Sequence, residues 1–214
     1  MSPIFSHAIF IAKGIPNTLI LLIMSTMISM STGILIAIAY HKKRAQFFIR
    51  SYISILRGTP VILQLALIYF TLPTLVSINI SSTSAGIICF GLNSSAYMAE
   101  ILRGGIESIP KGQFEAAKAL GIPDRELWQS IILPQVAIST LPAFTNEITT
   151  LLKETSLIAT IGGTDIMRLA QVMAAEQFTY FLPLCIAGAY YYGLVLLISF
   201  IGTFTEKRFS YVKN

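Results

Sequence analysis

Across 214 residues the chain is 54% hydrophobic and only 12% charged, with a mean hydropathy of +0.72; a soluble domain carries about a quarter charged residues, so a water-soluble globule is excluded. The length fits one domain. Its net charge of +5 does not point to nucleic acid, because the basic residues cluster beside apolar runs rather than on a groove-reading face.

Taken in chain order, residues 1–14 read as an external N-terminal segment, followed by Thr18 to Ala39, uncharged for 22 residues and the clearest membrane span. This run starts late and has its basic cluster after it rather than before, unlike a cleaved signal peptide. A second apolar run, Val61 to Val76, contains Pro73, and a third, Ser84 to Ile101, is apolar apart from Glu100. A polar segment at 111–130 interrupts the pattern. The fourth run, Pro134 to Leu152, carries Pro142 and Glu147; the fifth, Leu182 to Thr205, has Pro183 in its first turn, where a missing N–H costs nothing. Between these last two, Gly162-Gly163 lets the chain turn and Thr164 sits where an N-cap belongs. Ile166, Leu169, Ala170 and Met173 then follow with amphipathic spacing. That element reads as a scaffold helix, with a gate or a docking surface for an external partner as the alternative. Residues 207–214 form a tail.

Twelve of the fifteen Lys and Arg residues fall in three segments: 41–58 (Lys42, Lys43, Arg44, Arg50, Arg57), 103–125 (Arg103, Lys111, Lys118, Arg125) and the tail (Lys207, Arg208, Lys213). Cytoplasmic loops retain positive charge. Five spans then place the N-terminus outside, the C-terminus in the cytoplasm, and the 111–130 loop on the cytoplasmic side. Cys89 and Cys185 lie within apolar runs and read as packing residues, with neither disulfide nor metal-ligand spacing. His7 and His41 fall at span edges and read as surface residues.

The loop is the most informative stretch. Glu115 to Leu120 is built of strong helix formers, Gly121 stands where a left-handed terminating residue belongs, and Pro123 starts a second helix. Ala116 and Ala117 offer a small, smooth surface suited to insertion into a groove. Leu127, Trp128, Ile131 and Ile132 form the apolar anchor that returns the chain to the bilayer. A lipid-buried helix could not hold this density of charge.

The spacing from Glu115, Ala116 and Ala117 through Gly121 to Ile131, Leu133 and Pro134 resembles the EAA loop of ATP-binding-cassette importer permeases. Further motifs are similar to the polar amino acid subfamily of the histidine, glutamine and arginine type. They are Gly14 with Thr18-Leu19, Arg57-Gly58-Thr59-Pro60, Ala96-Tyr97 with Glu100, Arg103-Gly104-Gly105, Gly112-Gln113, and Lys153 with Thr155-Ser156-Leu157. Together they cover roughly residues 14–206. The resemblance implies an all-α integral membrane protein with five transmembrane helices in the type I ABC importer permease fold, its permease domain at 15–206. It implies a bacterial inner-membrane location, two ABC ATPase subunits, an extracytoplasmic solute-binding protein, and a second permease copy or paralogue as partners, besides membrane lipid. It assigns ATPase coupling to Gln113, Glu115, Ala116, Ala117 and Gly121. The chain has no G-x-x-x-x-G-K-[ST] loop, so ATP and Mg are expected on the partner ATPase, with no cofactor in this chain and no catalytic residue.

An ionisable group at membrane depth is a functional hypothesis by default, with pairing inside the bundle as the alternative. Glu100 precedes Arg103 by three residues, so a structural pair and a substrate contact are both open. A zwitterionic amino acid needs a cationic and an anionic partner, which Lys153 with Glu147 or Glu154 could supply, and Asn93, Asn146 and Tyr97 could add hydrogen bonds. A secondary transporter or channel is the rival class, but it gives no reason for the loop. An intramembrane enzyme would need paired catalytic groups, and neither H-E-x-x-H nor G-x-S-x-G occurs.

Overall fold

The protein is described by a computed structural model covering residues 3–210. Residues 1–2 of the N-terminal segment and 211–214 of the tail, with Lys213, lie outside the described residues. The described chain is helical throughout apart from short connections: α1 (Pro3–Ala12), α2 (Ile15–His41), α3 (Gln46–Gly58), α4 (Val61–Ala66), α5 (Leu72–Val76), α6 (Ser82–Glu107), α7 (Lys111–Ala119), α8 (Asp124–Glu126), α9 (Leu133–Glu154), α10 (Ile166–Gln177) and α11 (Phe181–Ser210). Four stretches are long and apolar enough to cross a bilayer: 5–41, 82–107, 124–161 and 181–209. A fifth crossing exists if α3 and the 61–76 stretch count as one bent span.

Helices in lipid gain no hydrophobic energy from meeting one another, so close backbone approach and hydrogen bonds hold them together. The main seam joins α2 to α6. Small residues make it tight: a Cβ on Gly33 would stand 2.7 Å from the Met98 Cβ, and one on Gly91 2.8 Å from the Ile28 Cβ. Along α2 the hydroxyls bond back into their own helix, Thr32 to the Ile28 carbonyl at 2.6 Å and Ser31 to Met27 at 2.8 Å, which hides their polarity from lipid. Leu21, Leu65, Phe90 and Leu151 close the core where α2, α4, α6 and α9 converge, together with Ile158 of the 3-10 turn (Thr155–Ile161) that follows α9.

The second apolar run departs from a simple span. At about 1.5 Å per residue, 16 residues of helix rise roughly 24 Å, short of a hydrocarbon core of about 30 Å. The run is also broken into α4, a π-helical turn (Leu67–Thr71) and α5. Pro73 lacks the N–H that would serve a residue one turn earlier, and the π turn directly upstream takes up the mismatch. At Thr59-Pro60 the chain bends by 103° between α3 and α4, because Pro60 is extended (φ −61°, ψ 132°) and cannot continue α3. The carbonyls left at the end of α3 are recovered by side chains. Gln64 Nε2 donates to Leu56 O at 2.9 Å and to Thr59 Oγ1 at 2.8 Å, and Asn93 Nδ2 donates to Leu56 O at 3.0 Å.

Four local expectations need correction. His7 is buried, with its Nε2 beside Gln177 Nε2, because α1 folds back onto α10 instead of standing free. Cys185 is exposed on α11, whereas Cys89 is buried. The N-cap of α10 is Asp165, not Thr164: its carboxylate accepts from the Arg168 N–H at 2.7 Å. Pro123 is the N-cap residue of α8 rather than its first residue, and α8 runs without interruption through a π turn (Leu127–Ile132) into α9.

Candidate functional site

Two regions carry polar chemistry: the 111–132 hairpin and the faces of α6 and α9. In the hairpin, Gly121 takes φ +69°, and the bonds around it form a Schellman end. The Ile122 N–H donates to Ala117 O at 3.0 Å and the Gly121 N–H to Lys118 O at 3.2 Å. That termination turns Ile122 back against Ala117. Both join Ile109, Leu127, Ile132 and Val136 in a core shared by α6, α7 and α9. Ala117 is therefore 3% exposed and faces inward, which corrects the expectation that it shares an exposed surface with Ala116: Glu115, Ala116, Ala119 and Leu120 form the outer face of α7. Leu120 is 77% exposed. Gln113 ties α7 to α9 by a reciprocal amide pair with Gln135, at 3.0 and 2.8 Å, and Gln135 also donates to Ile131 O at 2.8 Å.

On α6, Asn93 is buried and its amide is committed to Leu56 O and, at 3.0 Å, to Gln64 Oε1. It thus braces the α3–α4 bend. Tyr97, one turn on, lies under the Arg57 guanidinium at 5.0 Å from its ring centre. Glu100 accepts from Arg103 at 2.9 and 3.0 Å, and Arg57 reaches it at 3.4 Å. Arg103 continues to Glu107 at 2.7 Å. All the ion pairs among the described residues belong to this chain of four side chains, which links the end of α3 to the end of α6.

The face of α9 is unusual for a membrane span. Ser139, Pro142, Asn146, Thr150 and Lys153 recur at three- and four-residue intervals, and all are exposed in the single chain. The opposite side, with Val136, Thr140, Leu151 and Leu152, is buried against the bundle. Glu147 stands beside the stripe, half-buried, accepting from Ser94 Oγ of α6 at 2.6 Å. Glu154 is half-buried next to exposed Lys153. Glu147, Asn146, Lys153 and Glu154 thus share one helix, whereas Asn93, Tyr97 and Glu100 lie on α6, with Glu147 reaching between the two.

Several polar residues had no advance signal. Gln64 is a lone amide in an apolar run, and its partners Leu56, Thr59 and Asn93 are visible only in three dimensions. Ser94 and Ser95 carry no motif in the sequence, yet Ser94 holds Glu147 and Ser95 meets Tyr52 Oη at 2.6 Å. Asp165, fully buried outside the spans, also accepts from Tyr191 Oη at 2.7 Å, locking α10 onto α11. Burial pushes its carboxyl above the usual carboxylate range, against the opposing pull of its hydrogen bonds. Among the described residues no cluster of His, Cys, Asp or Glu is able to hold a metal ion.

Comparison with known proteins places this arrangement among transport proteins. The family described as "Binding-protein-dependent transport system inner membrane component" matches residues 29–211. A Rickettsia typhi protein named "Putative glutamine transport system permease protein" is 44% identical over 206 residues, covering 95% of this chain and 94% of that protein. The arginine transport system permease protein of Bacillus subtilis is 40% identical over 201 residues, covering 93% and 92%. Among solved structures, an amino acid ABC transporter with histidines superposes with a TM-score of 0.87 at 33% identity, covering 95% of this chain and 96% of that one. An inward-facing methionine ABC transporter shares the fold, with a TM-score of 0.79 at 19% identity.

Proposed function

The chain belongs to the binding-protein-dependent transport system inner membrane component family, as the permease component of an amino acid ABC importer, and from that premise we propose what it carries and how it is driven. It is the membrane-spanning subunit for a polar amino acid, glutamine being the first candidate given its relatives. It works by alternating access, with a second permease copy or paralogue, two ATPase subunits that bind ATP and Mg, and an extracytoplasmic solute-binding protein. The permease domain is 15–206, oriented with the N-terminus outside and the hairpin and tail in the cytoplasm of a bacterial inner membrane.

The observation that carries this reading is the polar stripe of α9. Asn146 and Lys153 cannot face hydrocarbon without a cost of up to several kcal/mol each, while Ser139 returns its hydroxyl to the Val136 carbonyl at 3.0 Å, so the stripe fits a water-filled path shared with a second copy. Lys153 with Glu147 or Glu154 offers the two charges that a zwitterion needs, and Asn146 and Tyr97 the added hydrogen bonds. Asn93 and Glu100 already have partners within the chain and hold the path's wall. Packed against the other end of the continuous 124–161 stretch, α7 and its Gly121 stop present Glu115 and Ala116 to the ATPase, with Gln113 and Ala117 fixing α7 to the bundle.

The test is reconstitution with the partner ATPase and solute-binding protein in proteoliposomes. ATP-dependent uptake of labelled glutamine is expected, with unlabelled histidine and arginine as competitors. Uptake that persists without ATP and without the ATPase would make the chain a secondary transporter or channel and overturn the proposal.

A further inference from the structure

Between α2, α6 and α9 lies an open groove of about 560 Å3 to which the transport reading gives no occupant. Its walls are hydrocarbon, with Met30, Ile34 and Ile38 on α2 facing Leu102 on α6 and Val136 and Phe144 on α9. The α2 side stays open, Met30, Ile34 and Ile38 each being nearly half exposed. At one end the chemistry changes. His41 and Lys42 line the groove there, and Trp128 of the hairpin packs edge-on against His41 at 4.7 Å between ring centres. Lys43 and Gln46 line a smaller cavity that shares Ala37, His41 and Ile106 with the first.

The carboxylates at this end, Glu100 and Glu107, are taken by Arg57 and Arg103. Lys42 and Lys43 consequently have no carboxylate partner among the described residues. From Met30 to Lys42, α2 rises roughly 18 Å at about 1.5 Å per residue, close to the ~15 Å depth of one leaflet of a ~30 Å hydrocarbon core. An apolar trough one leaflet deep, cationic at its polar end and with an indole at the same level, matches a phospholipid in length, polarity and charge.

We propose that the groove binds one anionic glycerophospholipid, with an acyl chain along α2 and the phosphate held by Lys42 and Lys43 beside Trp128. The lipid would rest against the core that carries the hairpin, since Trp128 belongs to both. The single tryptophan of the chain is thereby a built-in reporter.

The experiment uses the assembled transporter in nanodiscs containing acyl-brominated phosphatidylglycerol or phosphatidylcholine, with Trp128→Phe as the blank that isolates the Trp128 emission. Brominated phosphatidylglycerol is expected to quench at a several-fold lower mole fraction than brominated phosphatidylcholine. Lys42→Gln with Lys43→Gln, both at exposed positions, should abolish the difference, and Ala137→Phe, which fills the groove wall, should weaken quenching by both lipids. Equal quenching in the wild type overturns the anionic site. Absence of quenching by either lipid means that protein, such as a second copy of the chain, covers the groove, and overturns it as well. If Trp128→Phe fails to assemble, phosphatidylglycerol retained after detergent washing is counted instead. A loss of about one lipid per permease copy in the double Gln variant is expected, and unchanged retention refutes the site.

Discussion

Gly121 offers the sharpest test of how the hairpin is built. A Cβ at this position would meet nothing within 4 Å, so within this chain a substitution acts through backbone conformation alone. At φ +69°, alanine pays roughly 1–2 kcal/mol for the left-handed region, a factor of about 5 to 30 in the population of the native turn. Valine pays more, because a β-branched residue at positive φ is a genuine outlier. Asparagine, larger than alanine but several-fold enriched in this region, pays less. The expected order for an intact α7 end is therefore Gly, then Asn, then Ala, then Val. Losing the turn releases Ile122 from Ala117 and frees the two carbonyls of the Schellman end. The assay is amino acid transported per ATP hydrolysed by the assembled transporter, with co-purification of the ATPase as the control for assembly. If valine matches glycine, the left-handed stop is not needed for coupling. If asparagine is worse than alanine, side-chain size against a docked partner decides the effect and the conformational argument fails.

Replacing Gln113 or Gln135 alone by leucine should lower thermal stability in detergent by about 1 kcal/mol, because the surviving amide keeps its desolvation cost without its partner. The double leucine variant should cost less than the sum of the two, and strict additivity would show that the amide pair is not coupled. Lys153→Gln and Glu147→Gln should each reduce ATP-driven uptake at least tenfold with assembly preserved; unchanged uptake and preference in both would make them structural. Asp165 gives a pH dependence with a defined sign. Its carboxyl is raised by burial, so the folded state holds its proton at pH values where the unfolded chain has released it. Stability from this group therefore falls as pH rises from the ordinary carboxylate range through the raised value. Thermal shifts of the wild type minus those of Asp165→Asn should move in the wild type's favour as pH falls, and a flat difference would contradict the burial argument.

The parts of the fold that could be read from the sequence are those fixed by neighbours along the chain. Each of the five apolar runs is helical, and α7 ends at Gly121 because helix formers followed by Gly-Ile-Pro carry their conformation locally. What could not be read depends on residues brought together from afar. Asn93 can be read from the sequence only as a hydrogen-bonding candidate, whereas its amide nitrogen donates to Gln64, 29 positions earlier, and to the carbonyl of Leu56. Pro60 reads in the sequence only as part of a motif, whereas it stands at a bend of 103° where Gln64 and Asn93 both donate to the freed Leu56 carbonyl. Thr164 and Asp165 are both good N-caps by type, and the choice fell to Asp165 because Tyr191, 26 residues on, supplies a second hydrogen bond. Exposure of the α9 stripe depends on which face of α9 the bundle takes, and that is settled by α11 and α6, with Gly202 of α11 packed directly on Thr145, rather than by periodicity alone.

The proposed coupling then has a mechanical basis in one element. The stretch 124–161 is 38 residues long, roughly 57 Å at about 1.5 Å per residue, nearly twice the hydrocarbon thickness of a bilayer. Its start is clamped to α7 by the Gln113–Gln135 pair and the Ile122–Ala117 core, so a push on the outer face of α7 is borne by the first turns of the same helix. Its middle and far end carry Asn146, Glu147, Thr150 and Lys153. A rigid displacement at the hairpin therefore reaches the polar stripe without crossing a loop. It does cross two soft points, the π turn at Leu127–Ile132 and Pro142. If the helix transmits motion as a rod, stiffening Pro142 by alanine should leave transport per ATP intact. If it must flex there, Pro142→Ala should preserve ATPase docking yet reduce transport per ATP. Either result separates rocking of the whole span from bending within it, and only the second places the hinge between hairpin and stripe.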